Sequence, residues 1–177
     1  MKKNLSERIA IPEGVEVLLE KKLLKVKGKA GECSRKIAEP MLRIAVEGKE
    51  VIIKADSATK REKSRLYSLA AHLNNMIKGA QNGYKYTLKI CSGHFPMNVA
   101  LSGNTLVVKN FFGEKYPRIV PLKPGAKVKI EGDKIYVESV DKEIAGQVAA
   151  DIEQTIRLRG RDQRIFQDGI YITEKGE

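Results

Sequence analysis

The stretch Val46-Glu47-Gly48-Lys49-Glu50-Val51-Ile52-Ile53-Lys54 returns 84 residues later as Ile130-Glu131-Gly132-Asp133-Lys134-Ile135-Tyr136-Val137-Glu138. In both places a Glu-Gly turn separates two short runs rich in β-branched residues, which is the chemistry of a tight β-hairpin. Two upstream blocks repeat in the same order. Val26-Lys27-Gly28-Lys29-Ala30-Gly31-Glu32 pairs with Val108-Lys109-Asn110-Phe111-Phe112-Gly113-Glu114, and Lys36-Ile37 with Arg118-Ile119, at an offset of 82. Ile11-Pro12 followed by Val15 pairs with Phe95-Pro96 followed by Val99, again at 84. Three ordered blocks separated by a two-residue indel mark an internal duplication.

Each copy closes in a helical pattern. Leu66, Leu69, Ala70, Leu73 and Ile77 share one helix face, with Thr59 and Glu62 spaced as a capping box. Ile144, Val148, Ile152 and Ile156 recur every four residues in the second copy, backed by Ala145 and Ala149. Gly79 and Gly160 read as the helix stops. After a join around Gln81-Asn82-Gly83, Tyr84, Tyr86, Leu88 and Ile90 alternate with Lys85, Thr87 and Lys89, the period of a strand with one buried and one wet face. The expected architecture is α+β: a tandem duplication of a small domain, each copy with short antiparallel or mixed sheets and one helix around a single core. The first copy is expected over residues 1–82 and the second over 83–177 with a basic C-terminal tail. Domains of this size hold a core without disulfides.

Charge narrows the function. Lys and Arg total 33 against 22 acidic residues, a net +11 with a pI near 9.6, which favours a polyanionic partner. Hydrophobic residues make up 42%, an ordinary globular composition with no apolar run of the ~20 residues a membrane span needs. The polar start, Met1 to Arg8, lacks a signal-peptide core, so a cytoplasmic location is expected. Cys33 and Cys91 are expected to be thiols.

Catalytic patterns are missing from the sequence. There is no phosphate-cradling glycine loop followed by Lys-Ser/Thr and no Gly-x-Ser-x-Gly elbow. His72 falls inside the first helix. Cys91 and His94 form a lone Cys-x-x-His, and a zinc site would need Cys33 and His72 to converge on it. No enzyme activity, cofactor, metal or small-molecule substrate is expected. Gly28-Lys29-Ala30-Gly31 has the spacing of the loop with which KH domains clamp a nucleic-acid backbone. That loop joins two helices, whereas Leu23 to Val26 reads as a strand, so a structural turn is expected. Aromatics are 6% with no Trp, which supplies a base-stacking platform poorly, so if a nucleic acid is the polyanion, contacts to its backbone should dominate.

The strongest basic cluster is Arg157-Leu158-Arg159-Gly160-Arg161-Asp162-Gln163-Arg164, just past the second helix. A helix C-terminus attracts cations, which accounts for Arg157 and Arg159 better than for Arg161 and Arg164. Planar guanidinium groups suit phosphate. A second cluster, Lys60-Arg61-Glu62-Lys63-Ser64-Arg65, lies in the first turns of the first helix. It reads as a solvated face or as the seat of an external anion.

The tail carries a more specific signal: Gln154, Leu158 and Arg161, then Arg164-Ile165-Phe166-Gln167-Asp168-Gly169-Ile170-Tyr171-Ile172, with Lys175 following. The junction adds Asn75-Met76-Ile77-Lys78-Gly79, Gly83-Tyr84-Lys85-Tyr86, His94-Phe95-Pro96-Met97-Asn98-Val99 and Asn110-Phe111-Phe112-Gly113-Glu114-Lys115. With these segments the chain resembles, over nearly its whole length, the universal ribosomal protein family numbered six of the large subunit, in its archaeal and eukaryotic form. The resemblance implies two small sheets and a helix in each half. It implies binding to large-subunit rRNA, mainly through the second domain and tail, near the sarcin–ricin loop and the base of the factor-recruiting stalk. Neighbouring large-subunit proteins would be further partners, and translational GTPases would dock close by. The expected RNA contacts are Arg157, Arg159, Arg161, Arg164 and Lys175, then Lys109, Lys115 and Arg118. Asp168-Gly169 is expected to turn the chain into an extended stretch over Ile170 to Ile172 that lies against protein or RNA, with Tyr171 stacking on a base or packing on its own domain. The competing expectation is a protein-interaction module whose basic surface recruits acidic partners outside the ribosome.

Overall fold

The computed structural model describes residues 3–37 and 39–176, and only the backbone of Lys3. It divides into two compact units, Met1–Gly83 and Tyr84–Glu177.

The first unit contains β1 (Lys3–Ala10), β2 (Glu16–Glu20), β3 (Leu23–Lys27), β4 (Glu32–Lys36), β5 (Arg43–Glu47), β6 (Glu50–Ala58) and helix α1 (Lys60–Asn82). They form two three-stranded antiparallel sheets, β1-β6-β5 and β2-β3-β4. Leu24 and Val26 on β3 alternate with less buried neighbours, as a half-wet sheet requires, whereas β6 buries Ile52 along with Val51, Ile53 and Ala55. Helix α1 packs on strands of both sheets and buries Leu66, Leu69, Ala70, Leu73, Met76 and Ile77. Each large apolar side chain so buried contributes about 1.5–3 kcal/mol. The capping box forms: the Thr59 N–H donates to Glu62 Oε2 at 2.9 Å and the Thr59 hydroxyl bonds the same carboxylate.

The second unit repeats this plan with β7 (Tyr84–Cys91), β8 (Asn98–Ser102), β9 (Thr105–Lys109), a single 3₁₀ turn at Phe111–Gly113, β10 (Arg118–Pro121), β11 (Lys127–Glu131), β12 (Lys134–Ser139), helix α2 (Lys142–Thr155) and β13 (Gly169–Glu174). Its sheets are β10-β9-β8 and β11-β12-β7-β13, again antiparallel throughout. The order β7-β12-β11 mirrors β1-β6-β5, and β13 adds a strand at the edge that β1 leaves uncovered by strand pairing in the first unit. The fold is a tandem duplication of an α+β unit. One core, with Leu88, Leu106, Phe111, Ile135, Ile152 and Ile170 among its most buried members, joins both sheets and α2 of the second unit.

The duplicated hairpin is as the sequence implies. Glu47 faces Glu50 and Glu131 faces Lys134, and each two-residue turn begins with a glycine at positive φ, 60° at Gly48 and 57° at Gly132. The Gly28–Gly31 loop joins β3 to β4, not two helices. The Ala30 N–H donates to the Ala80 carbonyl at 2.8 Å, and a Cβ on Gly28 would stand 2.5 Å from that same oxygen. It is a seat for the end of α1.

Both expected helix stops need correction. Gly79 lies inside α1 and is buried, because Met76, Ile77 and Ala80 keep the apolar face packed for another turn. The chain leaves the helix at Gly83, at φ 72°. Helix α2 ends at Thr155, five residues before Gly160, because Ile156 turns into the core as the last helical N–H donor.

Candidate nucleic-acid interface

Thirteen residues, 156–168, connect α2 to β13, and they carry the four clustered arginines. The connection is pinned at both ends. At its start, Arg118 Nη1 donates to the carbonyls of Thr155 at 2.7 Å and Arg157 at 3.1 Å, satisfying acceptors that a helix end leaves open. The rest of that guanidinium is bidentate to Glu114, Nε to Oε2 at 2.8 Å and Nη2 to Oε1 at 2.5 Å, and sits 4.2 Å from the Phe111 ring centre. The Arg118 hydrogen bond holds the Glu114 carboxyl below its ordinary pKa, outweighing its partial burial. Arg118 thereby acts as a brace within the fold, with its Nε, Nη1 and Nη2 all engaged by protein acceptors.

At the other end Asp168, 3% exposed, accepts from the backbone N–H of Gly93 at 2.7 Å and of His94 at 3.0 Å, and lies 2.5 Å from His94 Nδ1. Burial pushes its pKa up, but the backbone and ring donors of His94 with the Gly93 N–H together bring it below the usual carboxylate value. From there β13 pairs with β7 along its length, so the expected extended stretch lies on protein. Ile170 enters the core, while Tyr171 stays 37% exposed with one edge of its ring against Gly169. A Cβ at Gly169 would stand 3.0 Å from the Tyr171 ring. Burial, with the nearby negative groups, raises the Tyr171 pKa.

Between these anchors the arginines are exposed. Arg164 is bidentate to Asp162, Nε to Oδ1 at 3.1 Å and Nη2 to Oδ2 at 2.9 Å, which lowers the Asp162 pKa and raises that of Arg164. Gln163, with its amide oxygen turned toward the guanidinium, accepts from Arg157 at 2.9 and 3.1 Å. Arg161 lies 5.8 Å from the centre of the Phe166 ring. Among the described residues, Arg157, Arg159 and Arg161 have no carboxylate in ion-pair range, while Glu114, Asp162 and Asp168 each have a cationic or imidazole partner and Glu153 accepts from the Ile172 N–H at 3.1 Å. Most of the nearby acids are thus paired, and the exposed arginines leave a positive surplus facing water.

Lys115 is exposed in the same 3₁₀-to-β10 turn as Glu114, and Lys109 ends β9 opposite Asn98, beside the loop that holds His94 and Phe95. Lys175 is separated. It follows the far end of β13, which runs from a pairing with Cys91 to one with Thr87, roughly 20 Å from the arginine loop at ~3.3 Å per residue.

Sequence reasoning passed over the groups that hold the loop. His94 read as half of a weak metal motif, and Asp168 as part of a turn. Their pairing spans 74 residues with no periodicity to betray it. The only signal was that both lie in the segments carrying the family resemblance. Phe112 is a further surprise. It adopts φ 47°, ψ 35°, between Asn110 at φ 58° and Gly113 at φ 78°, a conformation costing a bulky residue on the order of 1–2 kcal/mol. Among the described residues no group of three or more His, Cys, Asp or Glu is arranged to hold a metal, and no helix is long and apolar enough to cross a membrane.

Comparison with known proteins agrees with this organisation. The sequence model of the family described as Ribosomal protein L6 matches residues 11–83 and again 95–169, one match in each unit. Large ribosomal subunit protein uL6 of Methanosarcina mazei is 42% identical over 175 residues, covering 99% of each chain. Its counterpart in Methanococcus vannielii is 41% identical over 171 residues, 97% of this chain and 94% of that one, and the Methanobrevibacter smithii protein is 39% identical over 171 residues, 97% and 96%. With the duplicated fold, the double match and near-complete coverage by archaeal relatives, the chain belongs to the Ribosomal protein L6 family.

Proposed function

We propose that this protein is a structural constituent of the large ribosomal subunit that holds large-subunit rRNA through the arginine loop of its second unit. It works without chemistry of its own: it is a structural ribosomal protein, not an enzyme. The observation that carries the reading is the pinned loop. Arg157, Arg159, Arg161 and Arg164 are displayed on a segment fixed by Arg118 at one end and Asp168 at the other. A fixed display lowers the ordering cost of binding; Arg159 and Arg161 offer guanidinium forks that match phosphate, while Arg157 and Arg164 are partly engaged by Gln163 and Asp162 and add positive charge. Lys115 and Lys109 extend the positive surface at the same pole, and Lys175 contacts a separate stretch of backbone.

The finer location follows the family resemblance: RNA near the sarcin–ricin loop and the stalk base, beside neighbouring large-subunit proteins, in the region that receives translational GTPases. A density map of large subunits containing this chain tests it. The expected result is density for the second unit at the stalk base with residues 157–164 along an RNA backbone. Density elsewhere, or a chain that leaves the subunit in moderate salt and travels with acidic proteins, would overturn it.

A further inference from the structure

With aromatic residues at 6% and no Trp, the composition argues against a base-stacking surface. The fold nevertheless gathers four rings at the pole that bears the arginine loop. Phe112 is the hub, edge-on to His94 at 5.7 Å, to Phe95 at 5.7 Å and to Phe166 at 5.6 Å between ring centres. His94 and Phe166 are tilted against each other at 5.0 Å. The rings come from three separate loops of one unit.

A cluster serving only as core would be covered. Here Phe95 is 46% exposed and the His94 side chain 41%, while the true core phenylalanine, Phe111, is 1% exposed. The exposed rings are also held in place. Asp168 fixes His94, and the Asn110 side chain donates to the Pro96 carbonyl at 2.9 Å next to Phe95. Cations border the patch, with Arg161 at 5.8 Å from Phe166 and Lys109 beside Asn110. Apolar rings kept in water beside a positive rim suit a ligand with a flat π face and a negative charge. A nucleotide has both. In an A-form duplex the base faces are used up in stacking, so only a splayed base can offer one.

Resting on the RNA-binding reading above, we infer that the cluster of His94, Phe95, Phe112 and Phe166 is a stacking site for an unpaired RNA base, with Arg161 taking an adjoining phosphate. The second unit then selects a bulge or loop within its RNA, beyond attraction to any duplex. An apolar protein segment is the other occupant for such a patch, and the cationic rim disfavours it.

The test uses the full chain and two RNA hairpins that differ only in whether one 2-aminopurine is bulged or paired. The wild-type protein should quench the bulged probe and bind it more tightly than the paired one. Phe95→Leu keeps apolar bulk but removes the ring. It should cost roughly 5- to 100-fold in affinity for the bulged hairpin and leave the paired one nearly unchanged. Tyr67→Ala, an exposed aromatic of the first unit, should alter neither. Equal binding of both hairpins without quenching, an F95L protein that binds the bulge like wild type, or an equal loss in Y67A would overturn the stacking site. Salt-dependent binding that ignores the bulge would sink this inference alone, whereas no salt-dependent binding to either hairpin would sink the RNA-binding reading with it.

Discussion

Asp168 and His94 stand 74 residues apart in the chain, yet the aspartate oxygen lies 2.5 Å from the imidazole Nδ1 while its other oxygen takes two backbone N–H groups. This contact ties the far end of the arginine loop to the loop after β7. Asp168→Ala leaves the Gly93 and His94 N–H groups without their acceptor in a part-buried site. It should destabilise the chain by about 1–3 kcal/mol in urea unfolding. The same variant should bind RNA more weakly, because the loop loses its fixed end. Unaltered stability would mean that the carboxylate does not anchor the loop.

The same carboxylate gives a pH signature. Its folded pKa lies below the ordinary aspartate value of about 4, so its stabilisation is fully present above that value and is lost as pH falls through the folded pKa. The gap in melting temperature between wild type and Asp168→Asn should therefore be widest near neutrality and close below about pH 4. A gap that stays constant into acid would show that the charge of Asp168 contributes nothing.

Arg118 separates bracing from binding. Arg118→Ala removes the ligand of two helix-end carbonyls, the partner of Glu114 and the cation over Phe111. The expected cost is about 1–3 kcal/mol of stability with weaker RNA binding. The dependence of affinity on salt should stay at the wild-type slope, since no phosphate contact is lost. A shallower slope with unchanged stability would return Arg118 to the set of direct contacts.

The duplication makes a prediction within the first unit. The β2–β3 turn has Lys21 at φ 55°, where the second unit has Gly103 at φ 57°. A left-handed lysine is sterically disfavoured and glycine is not. Lys21→Gly should stabilise the chain by up to about 1 kcal/mol, read as a higher urea midpoint. A lower midpoint would mean that the lost side chain or the added freedom of the unfolded chain outweighs the relieved strain.

How much was legible in advance depended on the range of the interactions. The Glu-Gly hairpins and the Thr59–Glu62 capping box are decided within a few residues and formed as their local patterns implied, whereas the alternation from Tyr84 to Ile90 fails at Thr87, which is buried at 4% exposure where a wet face was expected. The helix ends went astray because glycine punctuates a helix only where packing lets the chain leave. Gly79 is held inside by buried neighbours, and Gly160 arrives after Ile156 has already turned into the core. The candidate interface was legible in its charges and opaque in its supports. The four arginines stand together in the sequence. Asp168 with His94, Arg118 with the end of α2, and Phe112 with Phe95 and Phe166 meet only through tertiary structure. A count of aromatic residues cannot show that the fold collects its rings at one pole.

The most direct measurement is the salt dependence of binding between the full chain and protein-free large-subunit rRNA, compared with an Arg157→Ala/Arg159→Ala/Arg161→Ala variant. Each lost phosphate contact lowers the magnitude of the slope of log affinity against log salt by about 0.7–0.9, so the variant should fall short of wild type by roughly 2 to 3. A variant that folds, binds and keeps the wild-type slope would contradict phosphate recognition by the loop.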